Sequence, residues 1–67
     1  MIRMNEKHRQ ILINLAKSKI ESAKANIEIL SLNPVGVAEH PDSMETILAQ
    51  VKIIAEQQDV IDVLESE

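Results

Sequence analysis

Both prolines and the only glycine of this 67-residue chain fall in one stretch, Asn33 to Asp42, reading NPVGVAEHPD. Aliphatic, helix-forming sequence runs up to it and away from it. Pro34 lacks an N–H and disfavours helical geometry in Asn33, so a first helix must stop there. Gly36 is the natural position for a positive φ. Pro41 and Asp42 then open a second helix, with Asp42 as N-cap and Glu45 completing a capping-box-like pair. The chain therefore reads as a single domain: a helix over about 5–32, a bend over 33–42 and a helix over about 43–64.

The first segment carries a strict 3,4 alternation of apolar residues: Ile13, Ala16, Ile20, Ala23, Ile27 and Leu30. That is a heptad seam. A second 3,4 series runs through Met4, His8, Ile11, Leu15, Ser18, Ser22, Ala25, Ile29 and Leu32. It lies two residues out of phase, about 200° around the helix. One helix with two seams needs two partners, and a two-helix monomer supplies one. The remaining seam would be an apolar stripe of a kind that monomers rarely expose. The competing reading makes Ile11, Leu15 and Ile29 the edges of one wide stripe. The second segment has its own 3,4 series in Met44, Ile47, Val51, Ile54, Gln58 and Ile61. Leu48, Ile53, Ala55, Val60 and Leu64 widen it. Gln58 either fixes register as a buried amide or reaches to solvent from an edge.

Charge is divided between the halves. Residues 1–24 hold Arg3, Lys7, Arg9, Lys17, Lys19 and Lys24 against Glu6 and Glu21, whereas the rest holds Lys52 alone against nine acids. Each helix taken singly opposes its own dipole. Folding back brings the opposed ends together: Lys7 and Arg9 near Glu65 and Glu67, Lys17 near Asp59, Lys19 near Glu56. Such exposed pairs are worth only about 0–1 kcal/mol each. They argue for an antiparallel hairpin more than for stability.

Composition removes several function classes. With no cysteine, disulfides and thiolate metal sites are excluded, which also fits a reducing cytoplasm. With no aromatic residue, the stacking platforms for single-stranded nucleic acid are missing. No apolar run approaches the roughly 18 residues of a membrane span, and no signal peptide is evident. A chain this short is marginal alone and leans on disulfides, metals or oligomerisation. Oligomerisation is what remains.

Three chemistries compete with a structural reading. Glu39, His40 and Asp42 could interest a metal, and His8 of one chain could approach His40 of another in an antiparallel dimer. The structural reading makes Asp42 a cap, His40 or Glu39 a tether of the bend and Gly36 its turn. No catalytic triad, phosphate loop or H-E-x-x-H motif is present, so no enzyme activity, cofactor or metal is expected. Arg3, Lys7, His8, Arg9, Lys17, Lys19 and Lys24 could serve phosphates as a basic N-terminal helix, making the chain a nucleic-acid-binding or regulatory adaptor. The acidic pI near 5.0 opposes that reading.

Asn33, Pro34, Val35, Gly36, Glu39, His40 and Asp42 form an NPVG-x-x-EH-x-D bend. Ile54-Ala55-Glu56, Asp59 and Val63-Leu64 follow in an acidic, aliphatic second helix. This half of the chain resembles small helical-hairpin proteins encoded by tailed bacteriophages, including phages of marine cyanobacteria. The resemblance implies a helical hairpin of phage origin acting in a host cytoplasm, and brings no assigned activity.

The expected architecture is all-α: an antiparallel two-helix hairpin assembling into a four-helix bundle, as a homodimer or higher oligomer. Ile13, Ile20, Ile27, Leu30, Ile47, Val51, Ile54 and Ile61 should form the core. Ile11, Leu15, Ser18, Ser22, Ala25 and Ile29 should line the contact between chains, and Pro34, Gly36, His40 and Asp42 should shape the bend and cap. The expected partner is a second copy, with another phage or host protein as a further possibility and no membrane.

Overall fold

The computed structural model describes residues 3–32 and 41–66, the side chains of 41–43 excepted. Among these residues the chain is all-helical: α1 spans Glu6–Ser31 and α2 spans Pro41–Glu65, packed against each other. The molecule measures 48 × 17 × 12 Å. The expected turn at Pro34, Gly36 and His40 lies outside the described residues.

Local chemistry sets the helix ends. Asn5 precedes α1 in extended geometry (φ −56°, ψ 137°), and its side-chain oxygen accepts from the Lys7 and His8 amides at 2.7 and 3.4 Å. Its carbonyl takes the Arg9 amide at 2.9 Å. Two of the N–H groups that a helix start leaves unsatisfied are thereby paired. Glu6 in the first turn suits the helix dipole. At the other end the Leu32 N–H donates to the Glu28 carbonyl at 3.0 Å. α2 begins at Pro41, so Asp42, expected as the N-cap, stands inside the first turn. Proline is favoured at the opening position of a helix because its missing N–H has no intrahelical partner there.

The first seam of α1 faces α2. Ile13, Ala16, Ile20 and Ala23 are buried, and Ile27 and Leu30 are half-buried toward the bend. The two alanines carry almost no bulk, which lets α2 approach closely. Ala16 and Ile20 pack with Ile61, and Ile54 leans against them.

α2 departs from its expected rotation. Ile47, Ile54 and Ile61 face α1 as anticipated, half-buried or buried. The second column of the seam is Gln50, Gln57 and Leu64, however, in place of Met44, Val51 and Gln58. Val51, expected in the core, is 46% exposed, and Met44 is exposed with it. The physical reason is visible along the helix. The adopted arc brings in Ile53 and Leu64 while giving up Met44 and Val51. It also lets Gln50 Oε1 accept from Asn26 Nδ2 across the helix pair at 3.2 Å. Gln58 is exposed and donates from Nε2 to Asp62 Oδ1 one turn on, at 3.1 Å. The edge reading of Gln58 therefore holds.

The antiparallel register agrees with the expected one. Asn26 and Gln50, bonded to each other, have residue numbers summing to 76. The anticipated cross-helix ion pairs do not form among the described residues. Arg9 Nε instead lies 3.7 Å from Glu6 and Lys24 Nζ 3.3 Å from Glu21, both within α1. An exposed lysine gains too little from a distant carboxylate to fix its own rotamers, so neighbours one turn away win. Glu67 lies outside the described residues.

Candidate interaction surface

The second seam of α1 follows from helix geometry once the first is turned inward: it must point away from α2. Ile11, Leu15 and Ile29 are 56, 51 and 68% exposed. Ser18, Ser22 and Ala25, the small middle of the same seam, are exposed too. All six expected interface residues are thus exposed, and Leu15 also borders the groove between the helices. Leu32 continues the stripe, and His8 stands in it, exposed.

At the open end of the hairpin, where the helix termini lie, this stripe merges with a groove between the helices. Met4, Leu12, Leu15, Ala16 and Lys19 form its α1 wall; Gln57, Asp59, Val60, Val63 and Leu64 form its α2 wall. Its volume is about 580 Å³, and its lining is mostly aliphatic. Further along the same side, toward the bend, the surface turns polar. A smaller depression of about 350 Å³ is lined there by Lys19, Ser22, Ala23, Asn26, Gln50, Ile53 and Gln57. The face is therefore apolar in its open-end half and rich in amides in the other.

Leu12 and Val63 in this groove were not among the expected interface residues. Leu12 lies outside both 3,4 series, and Val63 flanks the α2 seam. The signal that could have found them is the closeness of Leu12 to Leu15, and of Val63 to Val60, on one helical side.

The groove has few chemical instruments. Lys19 and Asp59 stand on opposite walls, and neither has an ion-pair partner among the described residues. Arg9 is half-buried at the same end, with its Nε enclosed and lacking a hydrogen-bond partner. The 3.7 Å approach to Glu6 is too long for a hydrogen bond. Among the described residues no group of histidines and carboxylates is arranged to hold a metal ion. His40 lies outside them, as do Pro34, Gly36 and the Asp42 side chain. No described helix is long and apolar enough to cross a membrane.

Comparison of the chain with protein-family models, curated proteins and solved structures found no match.

Proposed function

We propose that this chain is a small structural module that self-associates through the helix faces left uncovered in the hairpin, forming a four-helix bundle from two copies. The observation that carries this reading is the solvent-facing position of Ile11, Leu15 and Ile29. They occupy a face turned away from a partner helix that is already in place. Surface area supports it. The chain exposes 5138 Å², roughly 900 Å² more than the about 4,200 Å² expected of a compact monomer of its mass. A standard interface takes about 800 Å² from each partner. Together with the bend's resemblance to phage-encoded hairpins, the reading makes the chain a phage accessory protein of the host cytoplasm.

The alternative of a basic N-terminal helix laid against nucleic acid draws less support. Lys7, Lys17 and Lys19 point in different directions around α1, and Lys24 is already paired with Glu21. Phosphate contact needs a concentrated basic patch.

Sedimentation equilibrium at micromolar concentration tests self-association. The expected result is a mass of about 15 kDa, twice that of the 7.5 kDa chain. Leu15→Glu should return the mass to one chain while the helical circular dichroism signal stays. A wild-type chain that remains a folded monomer throughout would defeat the proposal.

A further inference from the structure

We propose that the open-end groove receives a second copy of this chain about a two-fold axis running along the hairpin, so that both copies have their termini at the same end. This rests on the self-association reading and adds an orientation and a register; it narrows the contact to the groove side, which takes in Leu15 of the outward stripe, while Ile11 and Ile29 lie further round α1.

The face follows from continuity. Lys19 and Gln57 line both the aliphatic groove and the polar depression beyond it, so the two lie on one side of the hairpin. Two copies can stack on that side in two ways. With termini together, Leu12, Leu15, Val60 and Val63 meet the same aliphatic half of the partner. With one copy reversed, they would cover the half that holds Asn26 and Gln50. Enclosing an amide pair whose remaining hydrogen-bonding groups now face water is unfavourable. Aliphatic surface gains most against aliphatic surface.

Charge selects the same arrangement. An axis along the hairpin lays α1 of each copy over the partner's α2, bringing the basic half of the chain against the acidic one. A perpendicular axis lays α1 on α1 and α2 on α2, with acids facing acids along the latter. The groove supplies a specific pair. Positions whose numbers sum to 76 are level in the hairpin, as the Asn26–Gln50 hydrogen bond shows. Asp59 is therefore level with residue 17, two residues or about 3 Å along the axis from Lys19. The two-fold preserves that level, so each Lys19 can reach the partner's Asp59 from the opposite wall. The dimer gains two such pairs from side chains that have no ion-pair partner among the described residues of the single hairpin.

The chain has no cysteine, so Lys7→Cys provides one spin-label site per copy, at the open end and exposed. Sedimentation of the labelled protein reports assembly, and pulsed dipolar spectroscopy reports orientation. The expected result is a dimer with a label-to-label distance of roughly 20–30 Å, set by helix spacings of 8–10 Å and the label arms. A dimer whose labels stand about 40 Å or more apart, as reversed helices rising 1.5 Å per residue would place them, overturns the orientation and leaves self-association standing. A labelled chain that is monomeric under conditions where the unlabelled one is also monomeric removes both. Leu15→Glu in the labelled chain should abolish the dipolar distance with helix content unchanged; persistence of the distance would remove the groove from the contact.

Discussion

Ile61→Ala tests the packing between the helices most directly. Ile61 is 4% exposed and lies against Ala16 and Ile20, with Ile54 alongside. The substitution deletes three side-chain carbons, worth about 2.4 kcal/mol of transfer free energy at about 0.8 per carbon. Ala16 is too small to move into the space, so part of the void persists and adds a cavity cost. The expected loss is about 3 kcal/mol, within the usual range for isoleucine to alanine. A chain of this length holds only about 3–10 kcal/mol of stability in total. Urea titration followed by circular dichroism at 222 nm reads the change. With a slope of about 1–2 kcal/mol per molar, the midpoint should fall by roughly 1.5–3 M at a fixed protein concentration. Val51→Ala is the internal control. Val51 is half in water, and alanine is the better helix former, so the midpoint should move by less than about 0.5 kcal/mol-equivalent. Equal losses at the two positions would refute the rotation of α2 described above, and a loss below about 1 kcal/mol at Ile61 would refute its packing against Ala16 and Ile20.

Two further substitutions test local features. Asn5→Ala removes the side-chain oxygen that accepts the Lys7 and His8 amides, and should cost about 1 kcal/mol in a thermal or urea melt, with Asn5→Asp restoring it. Gln57→Leu replaces a half-buried amide on the seam column by a side chain with no polar group to desolvate. It should raise stability by about 0.5–1 kcal/mol, read as a higher melting temperature at constant protein concentration.

The helices and their antiparallel register are legible in the sequence because few residues control them. Pro34 and Gly36 interrupt an otherwise unbroken helical pattern, and the Ile–Ala alternation of α1 has one consistent inward face. The rotation of α2 is not legible in the same way. Ile47, Ile54 and Ile61 belong equally to two 3,4 columns, one completed by Met44, Val51 and Gln58, the other by Gln50, Gln57 and Leu64. Counting apolar residues favours the first. The hairpin adopts the second, because burial is decided by the whole arc, Ile53 and Leu64 included, and because Gln50 finds Asn26 across the interface. A hydrogen bond between residues 24 positions apart leaves no trace in periodicity. The ion pairs fail for a related reason. Facing positions can be inferred from a register, but the rotamer of an exposed lysine is settled by its nearest carboxylate, and Lys24 pairs with Glu21 on its own helix at 3.3 Å. The Asn5 cap was missed: the expected helix began at about residue 5, although an asparagine just before Glu6 is a standard start signal.

The distribution of side-chain size along α1 connects the packing to the proposed assembly. Between the helices the seam alternates isoleucine with alanine, so Ala16 and Ala23 occupy the most enclosed positions and bury little area. Outside it stand Ile11, Leu12, Leu15, Ile29 and Leu32, all large and all exposed. A hairpin whose stability came from its own two helices would have this order reversed, with leucine inward and small residues outward. The alanines let the helices approach closely, and the hairpin is narrow, 17 × 12 Å across. The hydrophobic free energy still available lies on the outer residues, where burial of each leucine or isoleucine is worth about 1.5–3 kcal/mol. A Leu15→Ala chain should therefore lose little stability at dilutions where it is monomeric, and progressively more relative to wild type as concentration rises.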